Sequence, residues 1–237
     1  KTLGRDHTPE EAVAAFEFLR SAGFSRLSLD LMFSVPGQSP EQWAADLEMA
    51  ASLGPQHLST YNLTYEEDTS FLDRHLDGEL DANEDRDADF FYAAIDFLNS
   101  KGFEHYEISN FCQPGFESEH NQAYWQGEDY LGLGPGAVTT WKSERWTTLA
   151  DTAGYVRAIE AGLEVKSEIE HIDEEGRRIE RIGLALRTSD GIPRDLIDEA
   201  NPLESFIEQG LLEPSRGRIR LTREGKALAD PIAAALV

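Results

Sequence analysis

Cysteine is nearly absent from this chain. The single Cys112 among 237 residues excludes an internal disulfide, and alone it cannot hold a zinc ion or an iron–sulfur cluster, which need three or four clustered ligands. Any cluster would have to be held from elsewhere. Long apolar runs are missing as well. No stretch of about eighteen apolar residues and no charged-then-apolar leader occur, so nothing argues for a membrane span or for export, and a cytoplasmic location is expected. Basic residues are scarce, 21 Lys and Arg against 45 Asp and Glu for a net charge of −24. A phosphate backbone is bound by Lys and Arg that displace counterions, so nucleic acid is not an expected partner. An acidic surface of this strength is a solvating one and would suit a salt-rich cytoplasm. The chain starts at Lys1 without a Met and reads as the latter part of something longer.

What is present is enough for a core: 40% of the residues are hydrophobic, and the length allows one large or two modest domains. Thr8-Pro9-Glu10-Glu11 reads as a capping box opening a helix to about Ala22, ended by Gly23. Leu27, Leu29, Leu31 and Phe33 then alternate with Ser28, Asp30 and Met32, the period of a strand, which puts Asp30 on the face opposite the apolar residues. Ser39-Pro40-Glu41-Gln42 opens a second helix in the same way. His57 to Leu63 reads as a strand, followed by a loop, a helix near Asn83 to Ser100 and a third strand around Phe103 to Ile108. This β-α alternation predicts a parallel sheet with covering helices. Ligands of such sheets sit at the carboxyl ends of the strands, where Asp30, the Pro36-Gly37-Gln38 loop, Tyr61-Asn62 and Glu107 to Asn110 fall. Only three or four strands can be counted where a closed α/β barrel needs roughly eight, so the sheet is incomplete. Beyond about Ser167 the pattern predicts a charged helix from Ile169 to Leu186, helical stretches near Pro193 and from Pro202 to Gln209, a hairpin from Leu211 to Leu221, and a last helix from Thr222. Helices followed by a small β-wing suggest a winged-helix-like module, read as a protein-packing lid because of the acidity.

The densest chemistry lies in His120-Asn121-Gln122-Ala123-Tyr124-Trp125 and the following Tyr130-Leu131-Gly132-Leu133-Gly134-Pro135-Gly136-Ala137. Glycines this close together let backbone approach a partner or adopt positive φ. A histidine beside large aromatics on such a loop suits a flat, apolar, metal-bearing ligand. The bland alternative is that His120 hydrogen-bonds a carbonyl and the aromatics are core. His105 and His57 are reserve candidates better explained as core or strand residues, and Cys112, on the loop before His120, could be a thiolate ligand.

Five motifs occur in order: Leu3-Gly4-Arg5-x-His7, the run from Leu29 to Gln38, Tyr106-Glu107-Ile108-Ser109-Asn110-Phe111, His120-Asn121-x-x-Tyr124-Trp125, and Leu131 to Ala137. Together they resemble the radical S-adenosylmethionine family of oxygen-independent coproporphyrinogen III oxidases, and within it the heme-chaperone branch, to which the His120 run and the Gly134-Pro135-Gly136-Ala137 ending point. The resemblance covers essentially the whole chain. It implies an α/β fold: a partial TIM-like radical SAM barrel missing its N-terminal strands over residues 1–166, then a small α+β winged-helix-like domain over 167–237. It also implies S-adenosylmethionine, heme, and a [4Fe-4S] cluster whose C-x3-C-x2-C ligands this chain lacks and a missing N-terminal part would carry.

Carried over motif by motif, Arg5 and Asp30 stand where the family contacts S-adenosylmethionine. A carboxylate can accept both ribose hydroxyls, and a guanidinium can pair with the methionyl carboxylate. His120 would be the axial ligand of heme iron, with Tyr124 and Trp125 stacked on or edging the porphyrin. No catalytic residue is assigned. The implied function is uptake of heme and its transfer to an acceptor protein, membranes being met only through that acceptor. The alternatives are oxidative decarboxylation of coproporphyrinogen, whose four propionates would call for more Arg and Lys than Arg5 and Lys142, and a non-enzymatic interaction module. Four positions depart from the family pattern: Ser34 for a usual glycine, Glu67-Asp68 for a Pro-Gly turn, and Val138 where histidine is frequent; Cys112 stands where family members commonly carry a small residue, which implies an inert thiol.

Overall fold

Reciprocal caps set the first helices. Thr8 Oγ1 accepts the Glu11 amide while the Glu11 carboxylate accepts the Thr8 amide, and Ser39 and Gln42 repeat the exchange, satisfying donors that a helix start leaves open. The computed structural model, which describes residues 6–80, 82–198 and 200–237, places α1 at Pro9–Ser21 and α2 at Pro40–Ser52. Both match the expectation from sequence. Packing divides the chain into two units, Lys1–Glu119 with Thr222–Leu228, and His120–Leu221 with Ala229–Val237.

In the first unit, β1 (Ser28–Phe33) pairs in parallel with β2 (His57–Asn62). The expected third strand is instead two short ones, β3 (Glu104–His105) and β4 (Asn110–Cys112), antiparallel to each other, with β4 antiparallel to β2, giving the order β1-β2-β4-β3. The parallel sheet is thus corrected to a mixed one. The cause is a polar reversal: the Glu107 carboxylate accepts the Ser109 amide and the Asn110 side-chain amide, and His105 Nε2 donates to Ile108 O at 2.9 Å.

Leu29, Leu31, Phe33, Leu58 and Phe111 face a core with Trp43 and Leu47 of α2 and Phe90, Phe91, Ala94, Ile95 and Leu98 of α4 (Glu84–Ser100). Trp43 is its largest fully buried side chain and donates from Nε1 to Phe90 O at 2.9 Å. A further helix, α3 (Ser70–Leu76), capped by Thr69, lies where a loop was expected.

In the second unit α5 (Glu119–Trp125) leads to a three-stranded antiparallel sheet of β5 (Val138–Trp141), β6 (Glu144–Thr148) and β7 (Lys166–His171), with α6 (Thr152–Glu160) between β6 and β7. The expected helix from Ile169 is corrected: residues up to His171 are strand, and α7 starts at Glu174, where Asp173 caps it by accepting the Gly176 amide, and runs to Leu186. Arg145 of β6 ties to α7 through two hydrogen bonds to Glu180, 2.6 and 3.0 Å.

A second antiparallel sheet joins β8 (Ile192–Pro193) to the hairpin β9 (Leu212–Ser215) and β10 (Arg218–Leu221), following α8 (Leu203–Glu208). The expected last helix is two, α9 (Arg223–Lys226) and α10 (Ala229–Ala235). Segment Thr222–Leu228 belongs to the first unit. There Arg223 pairs with both Asp96 oxygens at 2.8 and 2.6 Å and covers the Tyr92 ring, and Lys226 Nζ lies 2.8 Å from His105 Nδ1. Among the described residues no sheet closes on itself, and no helix is long and apolar enough to cross a membrane.

Candidate functional site

Strand register decides which side chains share a face. Asp30 pairs with Ser59, and Ser59 with Asn110; Ser28 pairs with His57, and His57 with Cys112. Paired residues point the same way, so these side chains form a polar face opposite the core, as the alternation around Asp30 predicted. Half of it is occupied. His57 has Ser28 Oγ 2.8 Å from Nδ1 and the Tyr106 hydroxyl 2.8 Å from Nε2, and burial pulls its imidazole below the ordinary range against the opposing field of Asp30. His105 is stacked on Phe111 at 4.1 Å and bonded at both nitrogens, its pKa lowered to about 3 by burial and then by Lys226. Neither has a nitrogen to spare. Cys112 is fully buried and burial pushes its thiol up to about 11, which makes it the inert thiol expected.

Asp30 itself is exposed and lines an open cleft of about 970 Å³ with Met32, Tyr61, the Val35–Gln38 turn, Gln42 and Asp46. The turn is built by Pro36 and by Gly37 at φ +81°, the Gln38 amide closing onto Val35 O at 2.8 Å, a geometry that favours glycine at its third position. Gln38 reaches on to Asp46 at 3.3 Å, whose carboxyl burial raises above its usual range. Apart from His7, no described residue lining the cleft is basic. Arg5 lies outside the described residues.

Ser34, which enters this turn, sits at φ +61° with its buried hydroxyl unpartnered among the described residues; Asp68, the other departure from a family glycine, is at φ +59°. Both hold the left-handed conformation that glycine adopts without strain. Ser34→Gly is therefore expected to stabilise the chain by roughly 1–2 kcal/mol, relieving the backbone and removing an orphaned hydroxyl. A urea midpoint that rises at constant slope would show it, and a lowered midpoint would contradict it.

His120 and Tyr124 stand four residues apart on α5, a helix where a loop was expected, and that spacing puts them on one face. Their rings meet edge-on at 4.9 Å and 85°, and Tyr124 meets Tyr130 at 4.7 Å and 62°. The result is a ladder of three rings. Trp125, half-buried, lies about 100° round the helix from Tyr124 and joins neither ring among the described residues. The structure therefore brings together two of the three residues singled out from sequence and adds Tyr130, whose signal was its place at the head of the glycine run. Leu131 and Leu133 beside it are 63% and 90% exposed. Thr139 Oγ1 accepts the Gly132 amide at 3.0 Å, and Thr148 Oγ1 donates to Gly134 O at 2.6 Å and accepts the Ala137 amide at 3.0 Å. The loop is pinned to the sheet. Among the described residues no three His, Cys, Asp or Glu side chains gather as a metal site.

The chain resembles the structure described as coproporphyrinogen III oxidase (HemN) from Escherichia coli, a radical SAM enzyme, with a TM-score of 0.76 and 20% identity over 98% of this chain and 59% of that one. At that identity the likeness is one of fold, the α/β fold of a radical SAM protein. By sequence it is 31% identical to proteins named heme chaperone HemW from Lactococcus lactis over 98% of the chain and from Mycobacterium tuberculosis over all of it, covering 64% and 61% of those proteins. The chain is a homologue of these HemW proteins along nearly its whole length, and spans about three fifths of the length of the curated relatives it matches. No protein-family model matches the chain.

Proposed function

We propose that the chain is the heme-binding part of a radical SAM heme chaperone, which takes up heme and hands it to an acceptor protein in the cytoplasm. The observation that carries this reading is the His120–Tyr124–Tyr130 ladder with Leu131 and Leu133 exposed beside it. Neither His120 nitrogen has a hydrogen-bond partner among the described residues, and an imidazole so placed is open to heme iron. Porphyrin is flat and apolar, and tyrosine edges and leucine side chains offer it contact area without enclosing it. Incomplete enclosure suits a cargo that must leave.

In this reading Asp30 holds the ribose of S-adenosylmethionine over the cleft, with Tyr61 and Met32 as its apolar neighbours, Arg5 takes the methionyl carboxylate, and the [4Fe-4S] cluster is ligated outside this chain. When bound, that pair supplies the family's radical chemistry; the residues here hold and orient the cofactor. Helices α7 and α8 ahead of the β9–β10 hairpin support a winged-helix-like reading of residues 167–237, and the parallel β1–β2 pair backed by α2 and α4 supports a barrel portion in 1–166. Decarboxylation of coproporphyrinogen is the weaker reading. Asp30 and Asp46 would repel its propionates, and no described lysine or arginine lines the cleft to offset them.

Titrating ferric heme into the chain is expected to shift the Soret band, and His120→Ala to weaken the uptake by at least roughly tenfold, the scale on which even outer-sphere partners affect metal affinity. Unchanged uptake and spectrum in His120→Ala would remove the reading.

A further inference from the structure

The six histidines differ in what their nitrogens do. His57 and His105 are engaged at both, and the exposed side chains of His7, His120 and His171 make no hydrogen bond among the described residues. His75, at the end of α3, is unlike all of these. Its Nδ1 lies 2.9 Å from Leu80 O. A carbonyl only accepts, so Nδ1 carries a proton, and in the neutral ring Nε2 has the lone pair. No described residue hydrogen-bonds to that Nε2. An imidazole with one N–H fixed on a carbonyl is the arrangement by which proteins orient histidine ligands and raise their basicity.

Its surroundings narrow the ligand. The Tyr65 ring lies 4.9 Å from His75 at 36° and is stacked on Phe71 at 3° and 6.3 Å, while Leu76, next in sequence, is 75% exposed. The Arg74 guanidinium stands 6.0 Å from the Phe71 ring and is paired with Glu79 at 2.9 Å. Bare zinc needs three or four protein ligands, and no such group gathers among the described residues. Heme iron brings four nitrogens of its own and needs one imidazole. From this juxtaposition we infer that His75 is a second ligand for heme iron, in the first unit and independent of His120, with the Tyr65–Phe71 stack beside the porphyrin. The choice of heme rests on the proposed function, but the site does not depend on His120.

The test is titration of ferric heme into four forms of the chain: unmodified, His120→Ala, His75→Gln and the double variant. Glutamine keeps a side-chain N–H for the Leu80 carbonyl and lacks the imidazole. The expected result is two hemes per unmodified chain, one in each single variant and none held by histidine in the double. In His120→Ala the residual heme shows an iron–histidine stretching band after reduction. That band disappears in the double variant, and it returns when free imidazole is added to a His75→Gly, His120→Ala chain. A single heme in the unmodified chain, or uptake and spectra unchanged by His75→Gln, overturns the second site. An effect of His75→Gln with none of His120→Ala would instead overturn the proposed function while leaving this site standing.

Discussion

Trp43→Ala is expected to destabilise the first unit by about 3–5 kcal/mol, the range for removing a large aromatic from a packed core. Several losses coincide. The indole is 1% exposed and lies 5.6 Å from the Phe33 ring, so alanine leaves a cavity among side chains fixed by two helices and a sheet. Its Nε1–H donor to Phe90 O goes as well, leaving a buried carbonyl inside α4 with one partner fewer. Trp43 also borders the Asp30 cleft, so the cavity would open toward it. Calorimetry should show the midpoint of that unit falling by on the order of 10 °C. A fall of only a degree or two would mean that the core repacks freely.

Gly132→Ala should disturb the second unit for a different reason. Unlike Gly134 and Gly136, this glycine does not hold a positive φ, but a Cβ there would stand 2.2 Å from Val138 O and 2.7 Å from Val138 C. Backbone cannot give way as a side-chain tip can. The loop must lift from β5, breaking the Gly132 N–Thr139 Oγ1 bond and moving Tyr130 away from Tyr124. The expected cost is about 1–3 kcal/mol, with amide exchange accelerated through residues 130–137. Thr139→Val removes only the hydrogen bond and should cost less, about 1 kcal/mol before the orphaned amide is counted. Equal effects from the two substitutions would show that the close approach matters less than the bond.

Local signals in the sequence carried much of the first unit. The caps at Thr8, Ser39 and Asn83 act within three residues, and the alternation from Leu27 to Phe33 reports one buried face directly. Features that depend on distant partners were not legible. Glu104 to Cys112 reads as one strand until Glu107 is seen to bind Ser109 and Asn110 and turn the chain back. Ile169 suggested a helix because it fits the apolar stripe of α7, yet it is 62% exposed on a strand; Asp173-Glu174-Glu175 was the start signal to follow. Thr69 likewise announced α3.

At the site, Asp30 and the His120–Tyr124 pair were readable from motif and spacing. The pinning of the glycine loop needs Thr139 and Thr148 from strands that the pattern did not reveal. His75 was passed over because its distinction is a hydrogen bond to Leu80, which no motif encodes.

The clasp of Arg223 and Lys226 on Asp96 and His105 sets an order of events during synthesis. A ribosome adds roughly 5–20 residues per second, and Lys226 comes 121 positions after His105. Nearly all of the second unit is therefore made before the first can be finished. Until then the His105 imidazole lacks its ammonium neighbour, and the outer side of α4 at Tyr92 and Asp96 stays bare. The nascent chain must carry a half-built first unit while the second takes shape, so of the two units the one begun earlier is completed after most of the other has been made.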